Sequence, residues 1–218
     1  MSDYAAARLN MVEGQLRTNR VTEPALLAAF LAVPREPFVP AALNATAYVD
    51  DDVPLGGGRC LMEPLVLARL IQLADLAPEA RVLLVGAATG YAAAVLARVT
   101  GSVVALESDA AMVATARRLM TELGCGNASV VQGPLAQGYP AGAPYDAIVF
   151  GGAIAAVPDA IAGQLAPGGR IVAVMLPERG VGQATVMTRV GSVLSRRPHF
   201  DAATPMLSDF APRPGFEF

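Results

Sequence analysis

Short apolar runs and segments of helical period alternate through the middle of the chain. Each apolar run has Gly, Pro or a charged residue at one end at least, which is typical of a buried strand. The predicted strands are residues 82–85, 103–107, 128–132, 145–150 and 170–175. The predicted helices are residues 65–76, 92–98, 110–123 and 158–165. This alternation predicts a mostly parallel sheet with helices packed against it.

The N-terminal third of the chain has a helical pattern without strands. Apolar residues at spacings of three and four predict an amphipathic helix over residues 4–17. Its buried face is expected to carry Ala5, Leu9, Val12 and Leu16. A second helix is expected to begin near Thr22 and to end before Pro34. The acidic segment 48–54 is expected to be a solvated loop, followed by the flexible triplet Gly56-Gly57-Gly58.

Two apolar segments near the C-terminus, residues 183–189 and 191–196, predict a hairpin. The turn signals between them are Val190, Gly191 and Ser192. We therefore expect an α/β, Rossmann-like sheet that is mostly parallel, with an antiparallel C-terminal hairpin and an N-terminal helical cap. One domain, residues 1–218, would comprise a cap and loop over 1–78 and a core over 79–218.

The segment from Arg81 to Asp109 carries the clearest functional signal. A buried strand leads into the turn Gly86-Ala87-Ala88-Thr89-Gly90, and a helix and a second strand follow. In doubly wound sheets, such a turn directs backbone N–H groups at a ligand. Glu107 lies 21 positions after Gly86, about where an acid reaches a ribose diol in such units. A turn that only closes a βαβ unit is the structural alternative.

Composition narrows the class of protein. The chain has 218 residues, of which 54% are hydrophobic, so it can bury a sizeable core. No apolar run is long enough to span a membrane, and residues 1–4 show no signal segment, so we expect a cytoplasmic protein. A net charge of −3 without a basic cluster argues against nucleic-acid binding. Cys60, Cys125 and His199 lack the spacing of a metal site, so no metal is expected, and His199 is expected to have a surface or packing role.

The chain resembles the protein-L-isoaspartate O-methyltransferase family along nearly its whole length. The resemblance rests on an ordered set of short matches rather than on any single one. In the first half they are Met11-Val12, Gln15-Leu16, Val33 to Glu36, Phe38-Val39-Pro40, Ala47-Tyr48, Pro54-Leu55 and Gly57. In the second half they are Val82-Leu83, Val85-Gly86, Gly90-Tyr91, Glu107, Pro144 to Val149, Val157-Pro158 and Pro167 to Arg170.

This resemblance implies a cytosolic enzyme that moves a methyl group from S-adenosylmethionine to the free α-carboxylate of an isoaspartyl residue. S-adenosylhomocysteine would be the product, and a damaged protein or peptide the acceptor. The resemblance also implies the residues that bind the cofactor. They are Gly86, Ala87, Ala88, Thr89, Gly90, Glu107, Ser108, Gly133, Pro134 and Leu135. The oligomeric state does not follow from it.

The chain departs from the family pattern where the family's chemistry lies. The acceptor motif Gln-Thr-Ile-Ser-x-Pro is replaced by Arg59-Cys60-Leu61-Met62-Glu63-Pro64, so both hydroxyl groups are lost. We treat Arg59, Cys60, Met62 and Glu63 as the acceptor-site positions, with Arg59 as the one cation that could face an acceptor carboxylate. Leu84 stands where an acid usually ends the first strand, and Ala88 and Pro134 replace a Gly and an Asp.

These departures lead us to expect weak or absent isoaspartyl methylation. A catalytically silent relative that binds a protein or a metabolite in the same cleft is a second hypothesis. A nicotinamide-linked oxidoreductase is a third, based on the βα turn alone. The missing G-x-G-x-x-G pattern argues against the third hypothesis.

Overall fold

A seven-stranded sheet forms the centre of the protein. The computed structural model describes residues 3–177, 179–191 and 193–211. The strand order is β5-β4-β3-β6-β7-β8-β9, parallel from β5 to β7 and antiparallel at β8 and β9. The strands are β3 (Arg81–Val85), β4 (Ser102–Glu107), β5 (Ala128–Gln132), β6 (Tyr145–Ile154), β7 (Leu165–Met175), β8 (Gln183–Val190) and β9 (Val193–Asp201). The expected α/β class with an antiparallel C-terminal hairpin is confirmed.

Helices cover the sheet and form the N-terminal cap. The α-helices are α1 (Tyr4–Asn10), α2 (Pro24–Ala32), α3 (Pro64–Ala74), α4 (Tyr91–Leu96), α5 (Ala110–Glu122) and α6 (Asp159–Ala162). A small antiparallel hairpin, β1 (Val53–Gly56) with β2 (Arg59–Leu61), separates the cap from α3. Short 3-10 helices complete the chain at Arg17–Asn19, Glu36–Phe38, Ala41–Thr46, Leu135–Gln137, Pro140–Gly142 and Ser208–Phe210.

The strand order creates a crevice between β3 and β6. The chain adds β4 and β5 on one side of β3, and then adds β6 and β7 on the other. Loops leave the carboxyl ends of β3 and β6 in opposite directions at such a point, and ligands of open α/β sheets bind there. Gly86 follows β3 directly, and Gly152 lies in the last part of β6.

A buried arginine ties the cap to β2. The Arg35 side chain is fully buried, and its Nε donates to the Ala47 carbonyl at 2.6 Å. Its Nη2 donates to the Met62 carbonyl at 3.0 Å, and its guanidinium carbon lies 4.6 Å from the centre of the Tyr91 ring. Tyr91 begins α4. Arg35 therefore fixes the segment after β2 relative to the turn that follows β3.

The C-terminal segment lies in the β3–β6 crevice. Met206 forms an isolated bridge with Ala153, and the Leu207 N–H donates to the Ala153 carbonyl at 2.9 Å. The Leu207 side chain is 2% exposed, and a Cβ added to Gly86 would come within 2.9 Å of its Cδ1 atom. A Cβ on Gly152 would also come within 2.9 Å of Leu207. Glycine at both positions thus lets this segment approach the sheet.

The first helix differs from its predicted form. Leu9 is 49% exposed, Ala5 is exposed as well, and the buried residues are Met11, Val12 and Leu16. The reason is that residues Met11–Leu16 form a π-helix, whose wider turn rotates the buried face away from the 3.6-residue spacing. The predicted buried positions Ala5 and Leu9 were therefore wrong.

Several boundaries also differ from the predictions. The predicted helix 158–165 is a short α6, because β7 already begins at Leu165. The second strand of the terminal hairpin runs to Asp201 instead of residue 196. Residues Val53–Gly56 form a strand, and the Gly triplet is its turn, with positive φ at all three residues. Ser192, predicted as part of the terminal turn, lies outside the described residues, and the division into parts at residue 78 stays a prediction.

We expect Leu207→Ala to destabilise the protein strongly. The substitution would remove the side chain that fills the space above Gly86 and Gly152, at a cost of about 3 kcal/mol in the free energy of unfolding. Leu9→Ala, at an exposed position, is the matched control and should change this free energy by less than about 0.5 kcal/mol. Denaturant unfolding measures both, and equal losses in the two variants would contradict this account of the segment.

Candidate functional site

The Glu107 carboxylate lies at the carboxyl end of β4 and is completely buried. Its Oε2 accepts from the Ala88 N–H at 2.8 Å, and its Oε1 accepts from the N–H groups of Ser108 at 2.7 Å and Asp109 at 3.1 Å. A carboxylate has about four acceptor positions in all. Three backbone donors therefore already use most of them.

Arg59 uses the remaining capacity of Glu107. Its Nε lies 3.3 Å from both carboxylate oxygens, and its Nη2 lies 3.1 Å from Oε1. The same Nη2 donates to Ser108 Oγ at 2.9 Å and forms an ion pair with Asp209 at 3.2 Å. Burial alone would lower the pKa of the guanidinium, but hydrogen bonds and charge attraction from Glu107 and Asp209 raise this pKa above its ordinary value. Arg59 is therefore a charged group held in place on both sides.

The position of Arg59 corrects one expectation. The sequence suggested that it could face an acceptor carboxylate, whereas the structure directs it to Glu107, the acid predicted to bind a ribose. Sequence reasoning missed Asp209 altogether. The only signal for it was an acid in a short polar stretch near the C-terminus, and such a pattern does not name a partner.

Three residues of the turn after β3 have positive φ angles. Gly86 and Gly90 have φ values of +79° and +101°, and Ala88 has a φ of +48°. Ala88 is thus a non-glycine residue in the left-handed region, which costs of order 1 kcal/mol relative to glycine. Thr89 Oγ1 donates to the Phe38 carbonyl at 2.6 Å, so this hydroxyl joins the turn to the cap. Ala87 and Ala88 are both buried.

The acceptor-site positions lie on β2 and just beyond it. Cys60 is 8% exposed, and its sulfur lies 3.8 Å from Thr204 Oγ1 in the C-terminal segment. Met62 is 4% exposed and belongs to the main hydrophobic core cluster, with Tyr91 among its members. Burial, followed by the charge of Asp52, raises the pKa of the Cys60 thiol to about 12. This thiol is therefore a protonated, weakly polar group.

Glu63 lies beside the acidic segment 50–52. Its N–H donates to Asp52 Oδ1 at 2.8 Å. Burial, and then the charges of Asp50, Asp52 and Asp51, raise the pKa of the Glu63 carboxyl to about 7. Burial also raises the pKa of Asp52. The segment is thus not a fully solvated loop as predicted, because Asp52 is turned towards the start of α3.

The three residues predicted to bind adenine have different surroundings. The Gly133 N–H donates to the Glu107 carbonyl at 3.1 Å, so this residue lies beside the proposed ribose acid. Pro134 is exposed. Leu135 is fully buried in the second core cluster, together with Leu83 and Leu106. The predicted residues thus meet at the carboxyl edge of the sheet, and their roles stay predictions.

A groove of about 430 Å³ opens on the outer side of the same turn. Its walls include Phe38 from the cap, Gly57 from the β1–β2 hairpin, Thr89 from the turn, and Asp109 and Met112 from the start of α5. The groove thus adjoins the turn through Thr89 and the end of the β4–α5 connection through Asp109.

Comparison with known proteins identifies the class. A family model described as Protein-L-isoaspartate(D-aspartate) O-methyltransferase matches residues 7–192. Protein-L-isoaspartate O-methyltransferase 1 of Rhodopseudomonas palustris (strain HaA2) is 38% identical over 188 residues, which are 86% of this chain and 77% of the relative. The Protein-L-isoaspartate O-methyltransferase of Methylorubrum extorquens (strain PA1) is 43% identical over 178 residues, 82% of this chain and 78% of the relative.

Solved structures agree with the sequence comparison. A protein-L-isoaspartate O-methyltransferase superposes with a TM-score of 0.81 at 26% identity, covering 92% of this chain and 66% of the other. A candidate member from Plasmodium falciparum, solved in complex with S-adenosyl-L-homocysteine, gives a TM-score of 0.75 at 17% identity over 96% of this chain and 100% of the other. The protein has the fold of S-adenosylmethionine-dependent methyltransferases. It belongs to the protein-L-isoaspartate O-methyltransferase family. This membership does not support the hypothesis of a nicotinamide-linked oxidoreductase.

With Arg59 on Glu107, this carboxylate does not fit the ribose of S-adenosylmethionine. A ribose diol at Glu107 would need free oxygen lone pairs, and three backbone donors and one guanidinium already use them. The guanidinium itself contacts both oxygens of the carboxylate. Cofactor binding at Glu107 therefore requires Arg59 to leave this carboxylate.

The described part of the chain also bears on a membrane location. Within residues 3–177, 179–191 and 193–211, no helix has both the length and the apolar character needed to cross a bilayer.

We expect the thiols to react very slowly in the folded protein. Cys60 and Cys125 are both buried, and burial raises the pKa of both thiols, that of Cys60 to about 12. The thiolate is the reactive form, so labelling of Cys60 by a disulfide reagent at pH 8 should be at least roughly a hundredfold slower than after unfolding in guanidinium. A Cys125→Ala variant isolates Cys60. Fast labelling of this variant in its native state would contradict the assignment.

We expect Glu63→Gln to stabilise the protein only at higher pH. The folded-state pKa of about 7 lies above the usual value of 4.5, so the folded protein binds more protons between these values. Wild-type stability should therefore fall as pH rises from 4.5 to 7. The variant lacks this loss and should be more stable by about 1 kcal/mol at pH 8, after allowance for solvent screening, and equal at pH 4. Thermal melts across this range provide the measurement, with Glu79→Gln at an exposed position as the control.

Proposed function

We propose that this protein is an S-adenosylmethionine-dependent carboxyl methyltransferase of the isoaspartyl-repair family in which isoaspartyl methyl transfer is weak or absent. Family membership and the cofactor-bound structural neighbour support the class. The proposed acceptor is a damaged protein or peptide, and the proposed location is the cytoplasm. The cofactor would lie against Gly86–Gly90, Glu107–Ser108 and Gly133–Leu135.

The ion pair between Arg59 and Glu107 is the observation that supports a weak activity. It covers the ribose acid with a charged group that belongs to the protein. In the state described here, the cofactor and Arg59 would compete for one carboxylate. This guanidinium is costly to displace, since its removal leaves the fully buried Glu107 carboxylate without its cationic partner.

The acceptor-site residues support the same proposal. An acceptor carboxylate needs hydrogen-bond donors at the positions where the family pattern has hydroxyl groups. Met62 offers an apolar side chain, and Cys60 offers a protonated thiol already near Thr204. Leaving a buried polar group without a donor costs roughly 1–3 kcal/mol on mutational scales. The acceptor would therefore bind poorly even with cofactor present.

A catalytically silent relative is the second candidate function. The closed ribose site favours it directly, because a protein that no longer uses the cofactor can keep Glu107 neutralised by Arg59 at no functional cost. Such a protein would use the same cleft, or the groove beside Thr89 and Asp109, to bind a protein or a metabolite. Titration calorimetry with S-adenosylhomocysteine separates the two candidates. Saturable 1:1 binding supports the methyltransferase, and no heat up to high micromolar concentration supports the silent relative.

We expect the isoaspartyl methylation rate to be low. With labelled S-adenosylmethionine and an isoaspartyl peptide, kcat/KM should be at least about 100-fold below that of the Methylorubrum extorquens relative assayed in parallel. The physical reason is the combined loss of the acceptor hydroxyls and of a free Glu107. A rate equal to that of the relative would refute the proposal of a weak activity.

A further inference from the structure

We propose that Arg59 acts as an internal occupant of the ribose site and sets the affinity of this protein for its cofactor. This inference rests on the proposed function, since it concerns the same site. Arg59 lies in the acceptor motif on β2, and this inference gives it a role in cofactor affinity instead. Asp209 is assigned as the residue that holds Arg59 there.

The contacts of Arg59 are those expected of a bound ligand. Its side chain is 5% exposed, that of Glu107 is 0% exposed, and the two are joined through both Nε and Nη2. Like a ribose diol, the guanidinium presents two donors to one carboxylate. It also reaches Ser108 Oγ, the next residue along the predicted cofactor loop. The arginine therefore satisfies the hydrogen-bond acceptors that the sugar would otherwise satisfy.

The C-terminal segment stabilises this arrangement from the other side. Asp209 belongs to the short 3-10 helix Ser208–Phe210, which is anchored by the packing of Phe210 against Phe150 at a centroid distance of 5.3 Å. Leu207 anchors the same segment on Gly86 and Gly152. Asp209 is thus fixed by apolar contacts rather than by its ion pair. It attracts Arg59 whether or not a ligand is near.

An equilibrium between two positions of Arg59 follows from these contacts. When Arg59 is on Glu107, the ribose site is closed, and when Arg59 turns away, the site is available. The apparent dissociation constant of a cofactor equals its intrinsic constant divided by the fraction of protein in the open position. If the site is open in about a tenth of the molecules or fewer, the apparent affinity for the cofactor falls about tenfold or more.

The test compares the binding of S-adenosylhomocysteine to variants by calorimetry. Arg59→Gln restores the residue of the family pattern at this position and should bind at least about tenfold more tightly than the wild-type chain. Asp209→Asn keeps Arg59 but removes one of its two acidic partners, so it should show a smaller gain. Arg17→Gln is the matched control, because Arg17 also pairs with a glutamate, Glu13, but on an exposed surface of the cap. This control should bind as the wild-type chain does.

A thermal shift provides a second measurement that does not depend on activity. Arg59→Gln leaves Glu107 buried without its partner, so its Tm should be lower than that of the wild-type chain. Saturating S-adenosylhomocysteine should raise the Tm of this variant more than that of the wild type. If Arg59→Gln does not fold, Asp209→Asn still tests the inference, because Asp209 is 28% exposed in its side chain and the substitution is isosteric.

The outcomes separate this inference from the proposed function. Equal, tight binding by the wild type and Arg59→Gln would overturn the role of Arg59 while supporting a methyltransferase. Absence of binding in the wild type, Arg59→Gln and Asp209→Asn alike would overturn both. Tighter binding by Arg59→Gln that is lost again in the double variant with Glu107→Gln would establish that the ligand takes the place of the arginine on Glu107.

Discussion

A carboxylate that has no contact with solvent must be neutralised, and in this protein Glu107 is neutralised by Arg59. An isolated buried charge costs several kcal/mol, so the pair constrains every element that carries one of its members. The β1–β2 hairpin must lie close enough to the end of β4 to deliver the guanidinium. The C-terminal segment must reach the same place to deliver Asp209. The position of the cap on the sheet is thus set partly by the need to neutralise the Glu107 carboxylate.

Apolar contacts of the C-terminal segment fill the crevice between β3 and β6, beside this ion pair. Open α/β sheets usually keep this crevice for a ligand. Here Leu207 lies above Gly86 and Gly152, and the ion pair closes the adjoining space. Glycine at both sheet positions serves the approach of the protein's own C-terminal segment. Glycine is needed at these two positions because another group comes close to the sheet there. That group can be a ligand or a segment of the same chain.

Local sequence patterns were sufficient to predict the architecture and part of the candidate site. Alternating strand and helix periods predicted the parallel sheet, and the spacing from Gly86 to Glu107 placed an acid beside the turn, where the structure has it. The partner of that acid was not predictable, because Arg59 and Asp209 lie 48 and 102 positions away along the chain, and no local period encodes such a pairing. The π-helix at Met11–Leu16 was missed for another reason, since its apolar spacing also fits an ordinary helix.

The short strand β2 links the two halves of the site. Neighbouring residues of a strand point to opposite faces. Arg59 accordingly reaches Glu107, while Cys60 lies against Thr204 in the C-terminal segment. One short strand thus carries both the residue that pairs with the predicted ribose acid and a residue of the predicted acceptor site. A change of acceptor preference alone would not require an arginine at residue 59. Arg59 and Cys60 together therefore agree with the proposal that contact with the cofactor and contact with the acceptor are both weakened.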